Sequence, residues 1–193
     1  MGSQDWAGRL AAHAAEMGKP FVFTSTAMVF HHEPDGPHST ADQPNPHDDY
    51  GKYKLSCEQA VLQAHPGACV ARIGWQIDPV QAGNNMLMAL DAWQTRDGHV
   101  AVSQAWRPAC SFMADTARAL VHLLQAQTAG VVHLDSNAQE GHSFDRIVAA
   151  MKLKYCRDAW CLRVTEDYKH DQRLIGGDEF MPPLSASLAF PPK

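Results

Sequence analysis

An α/β fold built on a parallel sheet is predicted by three features of this 193-residue sequence. Apolar, β-like runs alternate with stretches of helical periodicity. The runs are short and nearly continuous in apolar character, as strands buried on both faces must be. The first of them, "FVFTSTAMVF" at 21–30, carries Thr24, Ser25 and Thr26 at its carboxyl end and is followed by a long loop. Ligands in open α/β sheets bind outside the carboxyl ends of strands, where such hydroxyls have a use.

The elements follow in order. Residues 4–17 place Leu10, Ala11, Ala14 and Ala15 at helical spacing, with Gly18 as C-cap and Pro20 beyond. A strand is predicted over 21–26. Residues 31–49 hold four prolines among many Asp and His and predict a long loop, of the length that is more often functional than decorative. A helix over 50–64 ends near Pro66-Gly67, and "ACVARIGW" (68–75) is the next buried strand. A helix at 84–95 and a short strand at 99–103 come next. Residues 114–127 form an amphipathic helix with Ala117, Leu120, Val121 and Leu124 on one face. "GVVHLD" (130–135) is a further strand, Ser143 caps a helix running to about 154, and the Pro-rich tail reads as irregular.

Composition narrows the function. Apolar residues make up 45% and charged residues 19%, an ordinary globular balance. A net charge of −5 with 16 scattered Lys and Arg leaves no basic footprint for nucleic acid. No apolar run approaches the ~20 residues of a membrane span, and no signal-peptide pattern opens the chain. Trp6 stands where myristoylation requires Ser or Thr. The five cysteines (57, 69, 110, 156 and 161) contain no C-x-x-C and read as buried, reduced thiols of a cytoplasmic protein. His31, His32, His38 and His47 cluster in the loop without a metal-binding frame, so they read as solvated loop residues rather than ligands.

The chemistry-bearing pair is Tyr50 and Lys54, four residues apart and therefore on one helix face. A free Tyr titrates near about 10, and an adjacent Lys⁺ favours its phenolate and suits it to proton transfer at neutral pH. Thr26, at the strand end, can hold a carbonyl oxygen to which Tyr50 donates. On spacing alone, a helix start with an exposed Lys is the favoured reading.

"STAMVF", "YGKYKLSCE", "ARIGW" and "RPACSFMADTARAL" together resemble motifs of the extended short-chain dehydrogenase/reductase family, in its dTDP-4-dehydrorhamnose reductase branch. The resemblance covers nearly the whole chain. It implies a partial Rossmann-like, doubly wound fold lacking its glycine-rich N-terminal half, with a small C-terminal substrate lobe. Residues 1–80 would form the Rossmann-like part; 81–193 would hold the lobe interleaved with the strand near 130–135. It further implies NADPH- or NADH-dependent reduction of a keto sugar nucleotide. Thr26 would be the catalytic hydroxyl, Tyr50 the general acid and Lys54 the ribose-binding, pKa-tuning lysine. Ser25, Tyr50 and Gly74 would also contact the dinucleotide, and Thr26, Trp75 and Asn85 the sugar. The nucleotide sugar is the implied partner, and a homodimer is compatible.

Ala27 and Tyr53 depart from the family pattern, which has Asp and Ser there. The glycine-rich turn G-x-x-G-x-x-G, which seats the pyrophosphate on a helix N-terminus, is not among these residues. Met1 aligns in the helix before the family's fifth strand, so the chain reads as a fragment or as a reduced descendant. A non-catalytic scaffold of the same fold that binds a partner protein is the alternative function. Charge-assisted bonds contribute about 1.5–3 kcal/mol each, so losing two or three pyrophosphate contacts weakens a dinucleotide from micromolar to millimolar. The chain by itself is therefore expected to show no measurable NADPH oxidation.

Overall fold

The computed structural model describes residues 3–80 and 83–190. The expectations resting on Met1 and Gly2, and the last three residues of the Pro-rich tail, lie outside the described residues.

Helix α1 (Ser3–Glu16) closes on Gly18, whose φ of +61° is open to glycine at no steric cost. The Lys19 N–H then returns to the Ala14 carbonyl at 2.8 Å, satisfying one of the helix's last acceptors. Strand β1 (Val22–Thr26) pairs in parallel with β2 (Cys69–Ile73), and β2 pairs in parallel with β7 (Gly130–Leu134). Between β1 and β2 lie the long loop and α2 (Asp49–Ala64).

Both faces of β2 are covered, which is why Cys69, Val70 and Ala71 are all apolar and all buried. Val70 packs with Ala11 of α1 and Val61 of α2. Cys69 and Ala71 point the other way, onto Ala119 and Leu123 of α4 (Met113–Gln125). The sheet is thus wound on both sides, as a Rossmann-like fold requires.

Helix α4 is rotated from the sequence expectation. The face against the sheet carries Asp115, Thr116, Ala119 and Leu123, with Leu120 half-buried, while Val121 and Leu124 are exposed. Both stripes satisfy helical spacing. The small Thr116 and Ala119 let the helix backbone approach the sheet, and that decides between them.

The apolar run at 68–75 is two strands. Gly74 breaks it, and β3 (Trp75–Ile77) leaves the sheet to pair with β6 (Cys110–Phe112). The Trp75 N–H donates to the Ala109 carbonyl at 2.8 Å, and a Cβ on Gly74 would lie 2.1 Å from that same oxygen. Gly74→Ala must therefore push two backbones apart. It is expected to lower stability by about 2–3 kcal/mol, at the upper end for overpacking, measured as the shift in urea unfolding midpoint.

Beyond Gly74 the chain builds a second apolar cluster. It joins Leu90 of α3 (Met86–Asp97), Val102 of β4 (Val100–Ser103), Met151 of α5 (Phe144–Lys154) and the buried Trp160. The tail is not wholly irregular: β8 (Leu162–Thr165) pairs with β4, and β9 (His170–Asp171) with β5 (Trp106–Arg107), both in parallel. These strands are two to four residues long with no clean alternation, so only their distant partners define them. Ser143 does precede α5, but its hydroxyl donates to Asp145 instead of accepting a helix N–H.

Cys57, Cys69 and Cys110 are buried free thiols, whereas Cys156 and Cys161 are exposed, against the expectation for all five. Among the described residues no helix is long and apolar enough to cross a membrane.

Candidate active site

Strand β1 ends at Thr26, whose hydroxyl accepts the Met28 N–H at 3.2 Å and so caps a short 3-10 turn over 27–29. Helix α2 starts beside that turn. Asp48 is its N-cap, accepting the Gly51 N–H at 2.7 Å. Gly51 permits the approach, since a Cβ there would lie 2.2 Å from the Met28 carbonyl. Helix start and strand end are thereby brought into van der Waals contact.

Tyr50 and Lys54 face a cavity of about 690 Å³ at the carboxyl ends of β1 and β2. Thr24, Ser25, Thr26, Gly74 and Trp75 line the same cavity. Tyr50 is 51% exposed, with its phenol at the cavity surface. The Lys54 ammonium donates to the Thr24 carbonyl at 2.6 Å and lies 4.5 Å from the centre of the Phe23 ring. Burial holds its pKa below the ordinary lysine value, opposed by the charges of Cys57 and Glu58.

Six of the seven residues expected from the sequence thus line one cavity. Asn85 does not line it. It is buried, and its side chain caps α3 by accepting the Met88 N–H at 3.1 Å, while its neighbour Asn84 lines the cavity. Sequence reasoning missed Trp106, Tyr168 and Gln172 on the opposite wall. The Tyr168 phenol hydrogen-bonds His170 Nδ1 at 3.1 Å, and burial pushes its pKa up. Nothing local in the polar stretch around 165–172 marks these residues; parallel pairing of β5 with β9 carries them to the cavity.

The histidine-rich loop is only partly solvated. The His31 ring lies 3.8 Å from that of His32 and 4.8 Å from that of His47, but His38 is buried and stacks on Phe30 at 4.2 Å. The backbone of His38 is stitched to Arg173 and Ile175, so the loop is docked on the tail. Among the described residues no group of three His, Cys, Asp or Glu is placed to hold a metal ion.

Behind the cavity, His133 is fully buried, its Nε2 lying 3.5 Å from an Arg72 nitrogen. Burial, aided by the Arg72 charge, lowers its pKa to about 4. The folded protein keeps this imidazole neutral, whereas the unfolded chain protonates it near about 6.5. Its contribution is therefore complete above about pH 6.5 and is lost as pH falls toward 4. Asp135 opposes it: burial raises that carboxyl to about 7, so its contribution is lost as pH rises. Comparing the parent with His133→Gln cancels the Asp135 effect. The stability difference between them is expected to shrink by about 3 kcal/mol between pH 7 and 4, measured by urea unfolding at each pH.

The chain is similar to several known proteins. It is 31% identical to the dTDP-4-dehydrorhamnose reductase of Mycobacterium tuberculosis over 127 residues, 64% of this chain and 41% of that protein. It is 43% identical to methionine adenosyltransferase 2 subunit beta of Bos taurus over 72 residues, 36% of this chain and 20% of that protein. The chain thus spans less than half the length of these curated relatives. The crystal structure of dTDP-4-dehydrorhamnose reductase from Bacillus anthracis in complex with NADP superposes with a TM-score of 0.76. That match is at 16% identity, covering 93% of this chain and 67% of that one. The model of the RmlD substrate binding domain matches residues 4–157. That stretch holds both the strand ending in Thr26 and the helix bearing Tyr50 and Lys54, and it makes the chain a member of the RmlD substrate binding domain family.

Proposed function

We propose that the cavity is the carbonyl-reducing site of a sugar-nucleotide reductase that uses NADPH or NADH. The observation that carries this is the meeting of Thr26, Tyr50, Lys54 and Trp75 around one cavity at the strand ends. The residues fit the nicotinamide-ribose end of a dinucleotide. Lys54 has three donors, one given to Thr24, and Tyr50, one helical turn before it, lines the same cavity. Bound there, a reduced nicotinamide would supply hydride for the carbonyl carbon. Thr26 orients the carbonyl oxygen, Tyr50 gives that oxygen its proton, and the Lys54 charge stabilises the phenolate left behind. The Trp75 indole offers a flat apolar wall to a sugar ring.

The test is calorimetry followed by isotope transfer. The chain is expected to bind a keto sugar nucleotide, and to bind NADPH or NADH only in the millimolar range. Continuous NADPH oxidation is expected below detection. Deuterium from labelled dinucleotide should still accumulate over hours on the carbonyl carbon, scored by mass spectrometry. A sugar nucleotide that binds and never acquires label sinks the reading.

A second reading, a non-catalytic subunit that binds a partner protein, is supported by the 43% identity to an enzyme's beta subunit. Tight capture of a partner enzyme with no isotope transfer would favour it.

A further inference from the structure

Tyr50, Lys54 and Glu58 stand four residues apart along α2, so the three share one face of the helix. Tyr50 and Lys54 reach the cavity. Glu58, only 2% exposed, is turned onto the sheet. There one oxygen accepts the Ser25 hydroxyl, and its two oxygens accept Arg72 Nε at 3.1 Å and Nη2 at 2.8 Å. Ser25 and Arg72 are register partners on β1 and β2, so a single carboxylate of α2 grips both strands at one level. Arg72 is itself held, with its guanidinium 5.1 Å from the centre of the Phe30 ring and His133 against another nitrogen.

An ion pair this deep is a weak source of stability, because well-packed apolar residues of the same volume commonly do as well or better. What a fork-to-fork carboxylate–guanidinium pair does supply is fixed direction. We propose that Ser25, Glu58 and Arg72 act as a positioning device that sets the height and rotation of α2 over the end of β1, and so places Tyr50 and Lys54 against Thr26. The proposal rests on the reductase reading for its purpose, and on this geometry for its existence.

The lever is short. Glu58 lies eight residues, ~12 Å, along the axis from Tyr50. Lys54 sits midway, and its bond to the Thr24 carbonyl ties the helix to β1 one residue from Ser25. A slip of one residue would turn the helix by about 100° and carry Tyr50 off the cavity. All three groups therefore report on the same placement.

The test follows the Lys54 ammonium and the Tyr50 ring by NMR in the whole chain, where position can be read without turnover. Ser25→Ala keeps the Glu58–Arg72 pair, and with it the fold, but frees the strand end from the carboxylate. The Tyr50 ring signal then reads the helix position directly. The Lys54 titration should move up toward that of an ordinary lysine as the ammonium gains water, with a changed Tyr50 ring signal. Ser25→Thr, which retains the hydroxyl, should restore both. In the paired variant Glu58→Met/Arg72→Met, a folded protein with a displaced Tyr50 ring signal is expected. Parent-like Lys54 and Tyr50 signals in folded Ser25→Ala would overturn the proposal, even where the paired variant fails to fold. Absence of isotope transfer in the unsubstituted chain would instead sink the reductase reading and leave these signals to be judged separately.

Discussion

Arg72→Ala is expected to cost about 3–5 kcal/mol of folding stability, a large share of the ~5–15 kcal/mol that holds a typical domain together. The reason lies in what is left behind. Glu58, 2% exposed in the parent, is left under the sheet with the Ser25 hydroxyl as its one remaining partner within the Ser25–Glu58–Arg72 set. A buried carboxylate without its counter-charge is far costlier than a missing contact. Urea unfolding measures the loss, and the paired Glu58→Met/Arg72→Met variant is the control. Removing both charges together should leave stability within about 1.5 kcal/mol of the parent or above it, because no charge remains buried and the methionines fill similar volume. If Arg72→Ala unfolds at the parent's urea concentration, the pair is not as dry as its burial indicates, and the positioning argument loses its footing.

The parallel α/β alternation was legible because each strand is bounded by turn residues and each helix carries its own periodicity. The break within 68–75 was not, because the only mark is Gly74, and its purpose is the approach of Ala109, 35 positions along the chain. The rotation of α4 was hidden for a different reason: the more apolar stripe is the exposed one, and the buried stripe carries Asp115 and Thr116, which only the shape of the sheet selects. β8 and β9 exist only through their partners β4 and β5. The site divides along the same line. Tyr50 and Lys54 are four residues apart, and with Thr26 they match a family pattern, so they could be proposed in advance. Tyr168 and Gln172 enter through a distant pairing. Glu58 and Arg72 are separated by 14 residues and joined only when helix packs on sheet. Asn85 stands directly before α3, and the cap its side chain makes there was not part of the family pattern.

Tyr50→Phe is expected to lower the rate of isotope transfer by about 10²–10⁴, the usual worth of a positioned general acid, equivalent to about 3–5 kcal/mol of barrier. The substitution removes one oxygen from a side chain that is 51% exposed, so folding stability should change by less than about 0.5 kcal/mol. Lys54 and its bond to the Thr24 carbonyl are untouched, so the sugar nucleotide should bind nearly as before. The pattern that identifies an acid is this separation: intact fold, intact binding, lost transfer. Both melting and calorimetry must therefore accompany the mass-spectrometric rate. Tyr168 provides the internal alternative, since its phenol is also on the cavity wall and is hydrogen-bonded to His170 at 3.1 Å. Burial pushes the Tyr168 pKa above that of a free phenol, which makes it a reluctant proton donor. Parent-like transfer in Tyr50→Phe together with lost transfer in Tyr168→Phe would move the acid across the cavity and end the role assigned to Tyr50.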